Sequence, residues 1–339
     1  MLMHATDVDG GRTRFGLYVR SQHPRHEDRS ASWEELLRTV DLAVNYGFQS
    51  ILVGEHYIAP GADCFPPLLL LARLSASTGE MTLGTSVALS NFRHPIELAS
   101  AGAFLDLLTK GNFVLGVGTG FRREEYAAFG VDFDTRLPRL VEGTRLLRRL
   151  WSEDAVSSTG GHFVVKDAIC SVKPYRASGP PIWMGATSPK GVRVAAELCD
   201  AWIIDPLSGD LVVGQLQAIY REELRKLEKP PPQEIPRVVD VFVAPSRELA
   251  LERSFAVLAQ KRGASMRARG AEVSGERAVE GAILGSPQTV IEGLQHQIDS
   301  FGITHFSVRM SGPGIDPKHL RESVFLFGTE VLPGFRDRS

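Results

Sequence analysis

The stretch NFVLGVGTGF, Asn112–Phe121, runs from a β-prone apolar segment into glycines and then into the charged RREEYAAFG; its reading separates two α/β architectures. A dinucleotide-binding fold places G-x-G-x-x-G after its first strand and an acidic residue about 20 positions further on, at the end of the next strand. Here the glycines stand at 116, 118 and 120, spaced G-x-G-x-G, and the stretch where the acidic strand end belongs is PRLVEGTRLLRRLW, which has helical spacing. The spacing and the missing acidic strand end argue against a dinucleotide site. What remains is a strand entered through Gly111, whose glycine-lined exit suits either a tight turn or the close passage of a planar ring under the backbone.

Outward from this strand the chain alternates. FGLYVR (15–20) is a first strand, followed by a polar loop and a helix that a Ser32–Glu35 capping box opens and Gly47 stops. QSILVGEHY gives the second strand and MTLGTSVALS the third, with Pro95 starting a helix through Leu108. Helices are expected at 122–129 and 138–151 after the fourth strand. Residues 155–180 break the rhythm, and Gly160-Gly161 between β-prone runs predicts a hairpin-like insertion. PIWMG is the fifth strand, Ser188-Pro189 opens the helix through Cys199, and AWIID is the sixth. A helix over 211–228, the stiff linker KPPPQEIP, a seventh strand VVDVFVAP, a helix capped by Ser246, the helix after Ser286-Pro287, an eighth strand THFSVRM and a final helix complete the series. Eight strands, each followed by helix, predict an α/β fold, the (β/α)₈ TIM barrel with insertions. It is expected as one domain over residues 14–335, with 1–13 a loose N-terminal tail.

The 339 residues carry a formal charge of −2 with acids and bases interspersed, so no broad electropositive surface for nucleic acid or anionic membrane is expected. The partner this leaves is a small molecule. Cys64, Cys170 and Cys199 lack CxxC spacing, which argues against both a disulfide framework and a zinc site and suits a reducing cytoplasm. No run approaches the roughly 18 apolar residues of a membrane span.

In a barrel the chemistry belongs where the strands end at the C-terminal face. His56, in Glu55-His56-Tyr57, suits a general base because imidazole titrates near neutrality; otherwise it bonds within its own loop. The spacing is not HExxH, and no metal site is expected. Ser86-Val87 marks either a plain strand end or a small site against a planar ligand. Gly185, Ala186, Thr187 and Ser188 open a helix whose unpaired amides and dipole suit phosphate, although Ser188 also serves as a simple N-cap. Ser286-Pro287 has that cap chemistry without the strand and is structural. Residues 21–31 and 261–281 are expected to lid the pocket, the latter as a mobile lid whose basic KRGASMRARG is a solvated face or otherwise meets an acidic substrate or the cofactor phosphate.

In order, VGEHY, LGTSVALSNFRHP, LTKGNFVLGVGTGFRREEYAAFGV, LVEGTRLLRRLW, KPYRASGPPIWMGATSP and ILGSPQTVIEGLQHQIDSFGITHF resemble the bacterial luciferase-like family of flavin-dependent barrel enzymes, over about 14–333. The resemblance implies proton transfer at His56, a non-prolyl cis peptide at Ser86-Val87 behind the flavin ring, and Gly118 and Thr119, with Gly120 beside them, flanking that ring. It implies a phosphate loop at Gly185–Ser188 and makes Tyr126 a further candidate for the cofactor. Where luciferase proper has an arginine and a glutamate, this chain has Thr119 and Thr187, so light-emitting aldehyde oxidation is not implied. The implied activity is a monooxygenase that oxidises a small organic substrate with molecular oxygen and reduced FMN from a separate flavin reductase. The alternative is a deazaflavin-dependent oxidoreductase transferring hydride on the same barrel; a non-catalytic flavin-binding barrel is the third. Family members often form homodimers.

Overall fold

A computed structural model describes residues 13–268, 270, 279–312 and 314–336. Eight parallel strands line a barrel: β1 (Arg14–Val19), β2 (Ser50–Val53), β3 (Thr82–Thr85), β4 (Phe113–Gly118), β5 (Ile182–Gly185), β6 (Ala201–Ile203), β7 (Pro236–Val243) and β8 (His305–Arg309). They pair in the order β6-β5-β4-β3-β2-β1-β8-β7. The two edges meet through a single parallel bridge, Ile204 to Arg237, in which Ile204 N donates to Pro236 O at 2.9 Å and Val238 N to Ile204 O at 3.1 Å. The sheet is thus curled on itself, as the alternation predicts. Every residue of β4 and β7 is buried, which accounts for their near-continuous apolar sequence: a parallel strand is covered on both faces.

The helices surround the ring: α1 (Arg29–Asn45), α2 (Pro67–Leu74), α3 (Pro95–Leu108), α4 (Arg123–Phe129), α5 (Arg136–Ser152), α6 (Pro189–Leu198), α7 (Asp210–Lys226), α8 (Arg247–Ala268), α9 (Pro287–Phe301) and α10 (Pro317–Leu326). A large cluster between strands and helices includes Phe15, Ile51, Leu83, Phe113, Leu115, Ile182, Val239 and Phe306. Inside the ring a smaller one, Leu52, Val114, Trp183, Ala201, Ile203 and Val238, fills the lumen, with Tyr18 and Val87 packed on it.

Several local expectations change. The cap of α1 is Asp28, whose side chain accepts from Ala31 N at 2.7 Å; Ser32 Oγ instead donates to Glu27, and Glu35 takes Arg321 at 2.6 Å. A carboxylate one turn earlier caps the helix, and tertiary partners claim both residues of the sequence box. Helix α2 comes from PLLLLARL, whose consecutive leucines have no period to read; it buries Leu68, Leu70, Leu71 and Leu74 and leaves Leu69 exposed. Segment 21–31 begins in a paired strand. Gln22–Pro24 pairs antiparallel with Ala62–Cys64, and Ser21 and His23 are buried. In the stretch expected as a mobile lid, 261–268 are the last residues of α8, while 269 and 271–278 lie outside the described residues, as do 1–12 of the N-terminal tail. Val156–Thr159 and Val164–Ala168 form an antiparallel hairpin apart from the barrel. An extra strand, Ile283–Gly285, extends the sheet beyond the C-terminal half of β7.

Candidate active site

The glycines of β4 are explained by what lies beside them. A Cβ on Gly116 would stand 1.9 Å from Thr85 O, and one on Gly118 would stand 2.4 Å from Val87 Cγ2. Thr85 Oγ1 donates to Gly116 O at 2.7 Å, so β3 and β4 are locked where the barrel opens. The Ser86–Val87 peptide is cis, and Val87 lies across Gly118 and Gly185; a Cβ on Gly185 would stand only 3.0 Å from Val87 Cγ1. The space at Gly118 is therefore taken by this chain's own Val87. Gly120 has φ +73°, a left-handed conformation that glycine adopts without steric penalty. Tyr18 fills the place of a side chain at Gly54, and its hydroxyl donates to Ser86 O at 3.3 Å. Tyr18 and Val87 together form an apolar floor across the mouth.

Tyr126 does not line that mouth. It is 1% exposed; its hydroxyl donates to Thr119 O and accepts from Asn91 Nδ2 at 2.7 Å. It holds the Thr119–Gly120 exit from behind.

At the end of β2, His56 keeps its side chain 15% exposed and sets Nδ1 3.3 and 3.4 Å from the two oxygens of Glu125. Glu125, on α4, is fully buried and also accepts from Tyr57 N at 2.7 Å and Ile58 N at 3.1 Å. Burial alone would raise its carboxyl, but the His56 hydrogen bond, the His56 charge and the two amides hold it below the usual carboxylate range. The ring of Phe121 meets His56 edge-on at 5.5 Å. The adjacent Glu55 is buried too: it accepts from Leu89 N at 2.7 Å and Arg93 Nη2 at 2.5 Å, tying the β2 exit to the β3 loop. Here burial prevails over Arg93 and the Leu89 amide, and the Glu55 carboxyl is raised.

After β5, Gly185 and Ala186 are half-buried while Thr187, Ser188 and Lys190 are exposed. Ser188 caps α6 by accepting from Gly191 N at 3.2 Å, and Ala186 O accepts from Trp202 Nε1 at 2.9 Å. The loop is pinned at both ends. Its hydroxyls, remaining amides and a lysine face outward at the positive end of a ten-residue helix.

The β7–β8 side carries residues the sequence reading missed. Asp240, wholly buried on β7, accepts Arg309 Nε and Nη2 at 2.6 and 2.8 Å in a bidentate fork and Arg262 Nη1 at 2.7 Å, and Lys261 Nζ stands 3.9 Å away. Burial would raise Asp240, but Arg309, Lys261 and Arg262 hold it well below the carboxylate range. Burial first, then the charge of Arg309, pushes Lys261 down to about 7. The solvated face expected for the basic stretch is thus wrong for these two residues: Arg262 is 2% exposed and also donates to Pro206 O at 3.1 Å. The signal was present in VVDVFV, since a carboxylate within a strand buried on both faces requires cations. Arg309 lies 5.7 Å from the Tyr18 ring, so the cluster adjoins the apolar floor.

The structure therefore brings His56, Val87, Gly118, Thr119, Gly185 and Thr187 to one end of one barrel, with Tyr126 behind it. Among solved structures, the monooxygenase RslO1 from Streptomyces bottropensis superposes with a TM-score of 0.83 at 25% identity, covering 95% of this chain and 99% of that one. An F420-dependent secondary alcohol dehydrogenase shares the fold, with a TM-score of 0.81 at 20% identity over 96% of this chain and all of that one. In sequence, the chain is 34% identical over 189 residues to 4-hydroxyprotoasukamycin monooxygenase of Streptomyces nodosus subsp. asukaensis, a match spanning 55% of this chain and about half (51%) of that relative. It is 28% identical to the F420-dependent glucose-6-phosphate dehydrogenase of Microbacterium testaceum over 90% of this chain and 94% of that protein. The model of the luciferase-like monooxygenases matches residues 13–305, and the chain belongs to that family of oxidoreductases.

Proposed function

We propose that the chain is a cytoplasmic flavin-dependent monooxygenase that takes reduced FMN from a separate reductase and uses molecular oxygen to oxidise a small organic substrate. The observation that carries this reading is the His56–Glu125 pair, held at the rim of an apolar floor by two backbone amides. The residues present fit the cofactor. Val87 offers the ring a flat apolar support with Gly118, Thr119 and Gly120 alongside, and Thr187, Ser188 and Lys190 at the start of α6 offer donors and positive charge to a phosphate. When bound, reduced FMN supplies the two electrons with which dioxygen gives one oxygen atom to the substrate and one to water.

The chain's own groups do the rest. Glu125 accepts from Nδ1 of His56, so Nδ1 carries its proton and Nε2 is left to take up or release one at the reacting centre. Phe121 against the imidazole and the Tyr18–Val87 floor exclude water from that position. Exposed Leu69 on α2 and Phe104 and Leu107 on α3 supply an apolar face that supports a homodimer.

The second reading is a deazaflavin-dependent oxidoreductase, favoured by the near-full-length similarity to the F420-dependent dehydrogenase. Anaerobic fluorescence titration with reduced FMN and with the reduced deazaflavin, followed by oxygen uptake, separates them. The first expects reduced FMN to bind and oxygen to be consumed; binding and turnover with the deazaflavin alone would replace it by the second.

A further inference from the structure

Outside the barrel, helices α5 and α6 and the hairpin over 156–168 enclose a trough of about 580 Å³. That is the size of a small-molecule site. Gly160 at the hairpin tip makes the enclosure possible, since a Cβ there would stand 1.9 Å from Glu142 Oε1. The close approach lets Glu142 accept from His162 N at 3.0 Å and Phe163 N at 2.9 Å, so this carboxylate clamps the hairpin against α5. Among the described residues Glu142 is the one acid lining the trough, and both its oxygens are taken by those amides. Leu137 and Val141 on α5 and Val194 on α6 line it too, and all three stay half-buried although each helix turns a full stripe to the core. Around them stand cations: Arg145 and Arg149 on α5 and Lys190 on α6. Both arginines have partners, but in solvent, with side chains 57% and 40% exposed. Arg149 forks Glu153 through Nε and Nη2 at 2.8 and 2.9 Å, whereas Arg145 donates through Nη2 to Glu197 at 2.7 Å, which leaves its Nε and Nη1 outside that bond. Neither partner acid lines the trough, and exposed pairs of this kind hold weakly.

We propose that this trough is a second small-molecule site, for an organic anion with an apolar body, a medium-chain carboxylate, whose chain covers Val141 and Val194 and whose carboxylate is taken by Arg145. Burial of the chain supplies the attraction, and the charged hydrogen bond fixes its direction. The trough lies between outer helices, so the inference goes beyond the flavin reading of the mouth and does not depend on it.

The test uses the full chain without flavin, with octanoate as the probe and 1-octanol as its uncharged counterpart, at constant ionic strength. Octanoate is expected to slow hydrogen–deuterium exchange in the hairpin over 156–168 and to leave the β4 exit, residues 116–121, unchanged. Its affinity, titrated by the same protection, is expected to fall roughly tenfold in Arg145→Gln, to be largely kept in Arg145→Lys, and to be lost in Val141→Trp, whose indole fills the trough. The wild-type arm stands even if a variant does not fold. No slowing in the hairpin, whatever happens at the β4 exit, overturns the site. Equal protection by octanol, or unchanged octanoate affinity in a folded Arg145→Gln, overturns the assignment of an anion held by Arg145.

Discussion

On the β2–β4 side of the mouth each buried carboxylate faces one base, Glu55 with Arg93 and Glu125 with His56, whereas on the β7–β8 side the single carboxylate of Asp240 faces three. The first arrangement is closed: charge and hydrogen bonds are met internally, and what remains is one imidazole nitrogen in a fixed orientation. The second is convergent: Arg309, Arg262 and Lys261 come from two elements onto one wholly buried carboxylate. Two different electrostatic designs thus stand within one barrel.

The largest expected effect is at Asp240. Asp240→Asn leaves three cations facing each other without their carboxylate, and urea unfolding is expected to report a loss of about 3–5 kcal/mol; a loss below about 1 kcal/mol would break the contrast. Next is His56→Ala, expected to lower turnover by about 10²–10⁴-fold while leaving the unfolding midpoint nearly unchanged. Equal losses in activity and stability would move His56 to the structural side.

The pH dependence of stability sharpens the comparison further, because the depressed carboxyl on one side and the depressed ammonium on the other both make stability rise with pH, but in separate windows. Glu125 has a depressed carboxyl, so the stability of the wild type over Glu125→Gln is full above about pH 4.5 and is lost as pH falls through the lower folded value. Lys261 is depressed from 10.5 to about 7 by burial and by Arg309, Arg20 and Arg262, against Asp240. Between those values the unfolded chain binds the extra proton, so the wild type gains stability over Lys261→Met as pH rises from about 7 to 10.5. Partial solvent access moderates this second effect. The smallest change is Ser188→Ala, expected to cost about 1 kcal/mol of cap energy in urea unfolding.

The barrel was legible because its strands are short apolar runs with glycine and Ser-Pro punctuation, and that pattern survives any detail of packing. His56, Val87 and the Gly185–Ser188 loop were legible because each lies within a few residues of a strand end. Glu125 was missed beside Tyr126 because helix α4 decides which of two adjacent glutamates turns inward, and Glu124 turns out. The Asp240 cluster was missed because its members come from β7, α8 and β8, separated by up to 69 positions. Lys261 and Arg262 looked like surface residues for a related reason: a basic run has no apolar period to betray the helix face that carries it inside.

The closure of the ring has a kinetic side. Between β1 and β2 four residues pair in register, but the joint between β6 and β7 is one bridge at Ile204 and Arg237. Local opening follows the fewest bonds, so the amides of Ile204 and Val238 are expected to exchange with solvent ahead of those joining β1 to β2, an order that hydrogen–deuterium exchange reads. The exposed linker KPPPQ precedes that joint, so a chain given new ends there would still carry both sides of the mouth, in the reverse order.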